Sequence, residues 1–299
     1  MIIVTGGCGF IGYWTVKALL ERGYDVRVVD SMARADMQIR AEKLGVEVLR
    51  VDVRDYDGLL KAFKDADAVI HLAALVSVEE STLKPMLYHE VNAMGTLNVL
   101  RASLKANVGR VVYASSAAVY GEPVSLPVKE DHPTNPLSIY GATKLAGEAY
   151  CKAFYNTYRL ETIILRYFNV YGPGQTNEYA GVIQRFIERL KAGKPPIIHG
   201  DGKQTRDFIH VSDVARSNLK ALECKAKHGT FNIASGEETS INRLASILSR
   251  IIRVNVKPIY TEPRPGDIRR SVADISKARR VLGFRVRVGL EEGLRQMVE

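Results

Sequence analysis

The feature that most constrains the fold is a theme repeated over residues 1–115: an apolar, β-branched run, a break, then a segment with helical spacing. Strands are expected at Ile2–Thr5, Asp25–Asp30, Val46–Val51, Ala68–Leu72 and Arg110–Ser115, with helices near 10–22, 34–44, 56–64 and 85–106. Continuous apolar strands alternating with helices form a parallel sheet covered on both faces. The expected class is therefore α/β, a doubly wound sheet of the Rossmann type with a smaller α/β lobe after it. Sheets of this kind bind ligands beyond the carboxyl ends of their strands, so chemistry is to be sought there.

The first such end carries Thr5-Gly6-Gly7-Cys8-Gly9-Phe10-Ile11-Gly12. Glycines at 6, 9 and 12 let the backbone turn tightly, approach a pyrophosphate and pack the next helix on the strand, with amides aimed at phosphate. The loop directly follows a strand and opens a helix, which is the context this pattern requires. The second strand then ends at Asp30, where a carboxylate can accept hydrogen bonds from an adenosine ribose and repel a 2′-phosphate. NAD is thereby favoured over NADP. A strand-end aspartate can also simply cap a turn, and Arg34 stands nearby.

Farther along, Tyr140-Gly141-Ala142-Thr143-Lys144 opens a helical run to Tyr158. A spacing of four puts phenol and ammonium on one face. A free tyrosine titrates near ~10, and a neighbouring cation favours its phenolate, so the pair can move a proton from a hydroxyl. The same spacing occurs on many helices by chance, and the surrounding chain must decide.

The net charge of +9 raises a nucleic-acid partner. Basic residues are nevertheless dispersed among acidic ones, and the densest group (Arg264, Arg269, Arg270, Lys277, Arg279, Arg280) is broken by Asp267 and Asp274. No nucleic-acid partner is expected. Three widely spaced cysteines (Cys8, Cys151, Cys224) suggest neither a disulfide framework nor a metal cluster, and the histidines lack metal-ligand spacing. No apolar run approaches a membrane span, and the first residues lack the regions of a signal peptide. The expectation is a cytoplasmic protein with no membrane partner and no metal.

The glycine spacing, Asp30, Asp52-Val53, Leu72-Ala73-Ala74, Asn92, Ser115-Ser116, Tyr120-Gly121 and Tyr140 to Lys144 together resemble the extended short-chain dehydrogenase/reductase superfamily, and within it the UDP-glucose (UDP-galactose) 4-epimerases. The resemblance spans nearly the whole chain. It implies that Gly6, Gly9, Phe10, Ile11, Gly12, Asp30, Asp52, Val53, Leu72, Ala73, Ala74, Asn92, Ser115, Tyr140, Lys144 and Tyr167 border NAD. Lys144 would also hydrogen-bond the nicotinamide ribose. It implies catalysis by Ser116, Tyr140 and Lys144, with Ser116 sharing the substrate hydroxyl and Ser115 the runner-up for that role. The next two positions, Ala117 and Ala118, lack the carboxyl groups that related 4,6-dehydratases and sugar-nucleotide decarboxylases carry, so the acid/base needed to eliminate water has no obvious source. Redox at C4 of the sugar is the expected chemistry.

After a strand at Glu161–Arg166, the segment Tyr167-Phe168-Asn169-Val170-Tyr171-Gly172-Pro173-Gly174 marks a loop and an exit from the cofactor domain near residue 170. Helices are expected near 180–193, 212–224, 240–252, 274–282 and 289–298. The resemblance implies a cofactor domain over 1–170, to which about 208–233 return, and a discontinuous substrate lobe over 171–299. There Asn169, Arg206 and Arg264 match residues that hold the substrate diphosphate, guanidinium forks being suited to phosphate oxygens. Asp267 would orient the loop. At Ser271, where many hexose-specific members have tyrosine, a small side chain leaves room for a 2-acetamido group or is merely polar packing. The expected activity is NAD-dependent 4-epimerisation of a UDP-sugar, an isomerase of galactose metabolism. The alternatives are another nucleotide-sugar oxidoreductase or a catalytically silent NAD-binding regulator. A homodimer is implied through the helix near 85–106 and the Tyr140 helix, paired isologously.

Overall fold

The computed structural model describes residues 1–33, 43–175, 181–263 and 266–299. Arg34, Arg264 and all but the last two residues of the helix expected at 34–44 lie outside that set.

Strand β1 (Ile2–Thr5) is buried along its length and passes through the glycine loop into α1 (Phe10–Glu21). β2 (Val26–Asp30) and β3 (Glu47–Arg50) precede α2 (Tyr56–Ala62), whose first turn is capped by the Asp55 carboxylate on Gly58 N. After β4 (Ala68–His71) come α3 (Val78–Leu83) and α4 (Pro85–Tyr88). α4 runs through a π-helical turn at His89–Met94 into α5 (Gly95–Lys105), so the helix expected near 85–106 is present with one wide turn inside it. β5 (Arg110–Ser116), α6 (Ile139–Tyr158) and β6 (Glu161–Tyr167) follow.

The strands form a seven-stranded sheet in the order β10-β6-β5-β4-β1-β2-β3, with β10 at His228–Ile233 and every neighbour parallel. Chain order reverses between β1 and β4, and the crevice of a doubly wound sheet opens at that reversal. Alternation along the strands divides the interior in two. Val4, Val28, Ile70, Val112 and Ile163 pack on one face, and Ile3, Val29, Val69, Val111 and Ile164 on the other.

Beyond β6 the chain forms β7 (Asn169–Tyr171), α7 (Val182–Lys191), β8 (Ile197–His199) and β9 (Thr205–His210). It then re-enters the large sheet: α8 (Val211–Glu223) lies on α1, with Asn218 donating to Thr15 Oγ1 at 3.0 Å, and leads into β10. β11 (Glu238–Ser240), α9 (Ile241–Ile252), β12 (Ile259–Thr261) and α10 (Leu290–Val298) complete the chain. A small sheet β11-β9-β7 and the pair β12-β8 carry a separate core of Phe186, Leu190, Ile198, Phe208, Leu244 and Leu294. The helix expected at 274–282 is reduced largely to a π-helical turn at Ala278–Leu282, ended by Gly283 in the left-handed region. No helix among the described residues is long and apolar enough to cross a membrane.

Candidate active site

Close backbone approach shapes the glycine loop. Gly6 has φ +69°, and a Cβ there would stand 2.7 Å from Ala73 Cα; at Gly12 it would stand 2.1 Å from the Gly6 carbonyl oxygen. These two positions press the start of α1 and the loop after β4 against β1, so no larger residue fits without moving backbone. At Gly9 a Cβ would meet only the Gly6 carbonyl oxygen, at 3.1 Å, and the rest of its surroundings are open. Phe10 and Ile11 begin α1 just beyond it. Asp30 is 3% exposed; its carboxylate accepts from Cys8 N at 3.1 Å and from Met32 N at 2.9 Å, fastening the loop to the end of β2. Turn capping is thus one of its functions, compatible with a further ribose contact.

Other expected cofactor residues divide by position. Leu72, Ala73 and Ala74 are part-exposed where β4 ends at the crevice. Asn92, in the π-helical turn, exchanges hydrogen bonds with Leu75 N and O, both at 2.9 Å, and donates to Thr143 Oγ1 at 3.1 Å, joining that loop to α6. Val53 is buried against Gly95. Asp52 receives Arg54 on both oxygens, at 3.0 and 2.8 Å, and the guanidinium holds its carboxyl below the usual range. Tyr167 turns away: its hydroxyl donates to Asn218 of α8 at 2.6 Å in the interior, so its polar end does not border the crevice.

Ser116, Tyr140 and Lys144, the expected reacting groups, come together where β5 ends under α6. Ser138 caps the helix on Gly141 N, and two glycines let it lie close to the sheet. A Cβ at Gly141 would be 2.6 Å from the Ala118 carbonyl oxygen, and one at Gly147 would be 2.2 Å from the Tyr113 hydroxyl. Lys144 is 4% exposed; its Nζ donates to the Ala114 carbonyl at 2.9 Å and stands 5.3 Å from the centre of the Tyr113 ring. Burial pulls its pKa down to about 8. Tyr140 stands beside Ser116, whose Oγ accepts from Ala118 N at 3.2 Å.

Burial pushes the Tyr140 phenol above its ordinary pKa, and the neighbouring Ser116 hydroxyl offsets this only in part. The expectation that a neighbouring cation favours the phenolate thus meets an opposing effect: the Lys144 ammonium is engaged with Ala114, and desolvation dominates. Ser115, the other serine considered, faces the body of α6 and donates to Glu148 Oε1 at 2.6 Å. Successive strand residues point to opposite sides, which separates it from Ser116.

Two buried features escaped the sequence reading. Glu148, fully buried, pairs with Arg166 and lies four residues past Lys144, a spacing that could have revealed it. His71, also buried, has Nδ1 2.7 Å from Thr5 Oγ1 and Nε2 3.1 Å from Thr96 Oγ1; burial and then the Lys144 charge push its pKa to about 3, so it is neutral.

In the smaller lobe a cavity of ≈ 690 Å³ is lined by Asn169, His199, Gln204, Arg206, Phe208 and Asp267 among others. It does not include Ser116, Tyr140 or Lys144. Asn169 joins the two regions, standing two residues beyond Tyr167, the β6 partner of Ser116 across the ladder. Its Nδ2 donates to the Asp207 carbonyl at 3.1 Å. Arg206 donates to the Thr205 and Ile268 carbonyls at 2.6 Å and forms an ion pair with Asp267, binding the 266–268 loop to β9. Asp267 offsets part of that positive charge, so a dianion would need another cation; Arg264, the expected one, lies outside the described residues. Ser271 is 8% exposed, between Arg270, paired with Glu238, and Val272, whose carbonyl accepts from Val128 N at 2.8 Å.

The family model for the NAD dependent epimerase/dehydratase family matches residues 2–234. A protein of Methanocaldococcus jannaschii, named provisionally as a UDP-glucose 4-epimerase, is 44% identical over 301 residues, covering 100% of this chain and 97% of that one. Among solved structures, a UDP-N-acetylglucosamine 4-epimerase of Methanobrevibacter ruminantium in complex with UDP-N-acetylmuramic acid superposes with TM-score 0.93 at 38% identity, covering 99% of this chain and 96% of that one. The UDP-glucose 4-epimerase of Thermus thermophilus in complex with NAD gives TM-score 0.91 at 37% identity, with 99% and 97% covered. With the matched region running from β1 to the end of β10, and so through every strand of the large sheet, the chain belongs to the NAD dependent epimerase/dehydratase family.

Proposed function

We propose that the protein interconverts the C4 epimers of a UDP-sugar by transient oxidation at C4, with NAD as its bound cofactor. One observation carries this reading: Ser116 and Tyr140 stand together near buried Lys144 at the crevice, and the short turn Ala117–Val119 that follows brings no carboxyl group to eliminate water or carbon dioxide. The named activities of the relatives support it.

The residues fit NAD: the narrow glycine cradle is open at Gly9, α1 starts beneath it, and the Asp30 carboxylate closes the far side. Gly6, Gly9, Phe10, Ile11 and Gly12 would hold the pyrophosphate, Asp30 the adenosine ribose, Asp52 and Val53 the adenine side, and Ala73, Ala74 and Asn92 the inner wall. When bound, NAD would supply the acceptor and then the donor of the C4 hydride. Tyr140 takes the proton of the 4-hydroxyl, directly or through Ser116, and returns it to the same oxygen when the 4-keto sugar is reduced on its opposite face. Lys144 keeps its charge below about pH 8 and orients the site. Asn169 and Arg206, with Arg264, anchor the diphosphate so that the 4-keto sugar can turn about its link without leaving.

The substrate is UDP-glucose/UDP-galactose, and the small Ser271 extends the reading to UDP-GlcNAc/UDP-GalNAc. In the same reading the cofactor domain comprises residues 1–170 with about 208–233, the rest forming the substrate lobe. The enzyme is a cytoplasmic homodimer. Pairing through the 85–106 helix and α6 is supported by exposed Met86 at 67% and Met94 at 40% on the former, apolar surface that a partner would cover. Cytoplasmic placement is supported by three cysteines that form no disulfide.

Purified protein with NAD, incubated with UDP-glucose and separately with UDP-GlcNAc, should form the 4-epimer of at least one, with no net NADH. Formation of neither epimer rejects the reading, and stoichiometric NADH would assign a dehydrogenase instead.

A further inference from the structure

The reacting helix is tied to the end of β5 at two consecutive strand residues. Lys144 Nζ holds the Ala114 carbonyl at 2.9 Å, and Glu148 Oε1 holds the Ser115 hydroxyl at 2.6 Å, with Tyr140 beside Ser116, the next residue of the strand. Residues 140, 144 and 148 are spaced by four and share one helix face. One of the ties involves a proposed reacting group itself. The other belongs to a carboxylate with no place in the proposed chemistry.

That carboxylate is unusually well held. Glu148 is fully buried, and Arg166 grips both its oxygens, Nε on Oε1 at 2.8 Å and Nη2 on Oε2 at 2.7 Å. Arg166 is the direct register partner of Ser115 across the β5–β6 ladder, so a single helical carboxylate bridges a cross-strand pair. Arg166 in turn stacks 4.6 Å from the centre of the Tyr120 ring and donates to the Glu130 carbonyl at 3.1 Å, which anchors the start and the middle of the segment between β5 and α6. A buried ion pair is weak evidence for stability, because desolvation offsets its attraction. Its geometric effect here is definite: it fixes how far α6 can slide along or away from β5, and so the distance between Ser116 and Tyr140.

We propose that Glu148, with Ser115 and Arg166, is a positioning unit that sets the register of Tyr140 and Lys144 against Ser116. This inference rests on the proposed epimerase reading. Glu148 touches neither reacting group and acts through the helix and strand it joins. Removing Glu148 outright would leave the Arg166 charge buried and uncompensated and could prevent folding. Ser115→Ala is the cleaner variant, because it cuts the strand tie and leaves the ion pair in place.

The experiment measures kcat, KM and bound NAD for wild type, Ser115→Ala and Ser115→Thr. A parallel ultraviolet titration compares the wild type and Ser115→Ala, each with its Tyr140→Phe counterpart, to isolate the Tyr140 phenolate. Ser115→Ala should lower kcat on the order of 10- to 100-fold with KM and NAD content unchanged, Ser115→Thr should recover most of it, and the Tyr140 phenol should ionise at higher pH as its Ser116 contact loosens. Unchanged kcat with an unmoved phenolate titration overturns the proposal. Loss of NAD or a raised KM at unchanged kcat also overturns it, by assigning Ser115 to ligand contact. If wild type epimerises no UDP-sugar, the reading of function fails on its own, and the phenolate titration still decides the positioning role.

Discussion

At the crevice, Lys144 is 4% exposed and ends on a backbone carbonyl of β5; in the smaller lobe, Arg206 ends on the Thr205 and Ile268 carbonyls and on the Asp267 side chain. The first group is held by a long parallel ladder and by glycines that admit no extra atom. The second is held by contacts between the start of β9 and the 266–268 loop, with a cavity of ≈ 690 Å³ beside it. The difference matches what each region must do. Proton and hydride transfer tolerate little misplacement, whereas a tethered sugar that presents both faces needs a firm anchor and free space around it. Changes at the crevice should therefore lower kcat, and changes in the cavity should alter KM and choice of sugar.

The largest expected effect is at Tyr140. Tyr140→Phe removes the proton carrier and should lower kcat by about 10²- to 10⁴-fold while NAD and UDP-sugar binding, followed by calorimetry, persist. A Tyr140→Phe enzyme with near-normal kcat would break the division at its strong end. At Arg206, Arg206→Met removes a charged donor, worth about 1.5–3 kcal/mol, and should raise KM roughly 10- to 100-fold with much less change in kcat. An equal loss in kcat would mean that the anchor also positions the reacting carbon. Smaller again is Ser271→Tyr, which should cut kcat/KM for UDP-GlcNAc about tenfold by overfilling the site and leave UDP-glucose nearly untouched. Equal effects on the two sugars would assign Ser271 to packing.

The smallest effect concerns pH and stability. Burial places the Lys144 pKa at about 8, below the ordinary lysine value near ~10.4. Between those values the unfolded chain binds a proton that the folded chain does not, so this group's contribution to stability rises with pH across the window. The cost of burying its charge is present below pH 8 and is relieved above it. In urea unfolding, wild type should gain on Lys144→Met between pH 7 and about 9.5; a loss over that interval would contradict the assignment.

How much of this was legible in the sequence also differs between the two regions. Strands such as Ile2–Thr5 and Arg110–Ser116 are continuous apolar runs, and their parallel order follows from alternation with helices. The glycine loop, Asp30, Ser116, Tyr140 and Lys144 stand on those elements, and their places in the fold were readable with them. The smaller lobe is built on three-residue strands such as β7, β8, β11 and β12, too short to show any period. Their pairing is set by partners distant in sequence, Ile197 with Ile259 for example. Tyr167 illustrates a different limit: sequence order puts it beside the cofactor, but Asn218, 51 residues away, captures its hydroxyl. The direction of the Tyr140 pKa was hidden for the same reason, because burial is a tertiary property.

The central claim is that C4 is oxidised and reduced again within one bound encounter. It is tested most directly by incubating the enzyme and NAD with UDP-glucose and UDP-GlcNAc deuterated at C4 and following the label by NMR. The account predicts 4-epimeric product that retains deuterium at C4, with no accumulation of NADH. Washout of the label into solvent, or label accumulating in free reduced cofactor, would contradict it.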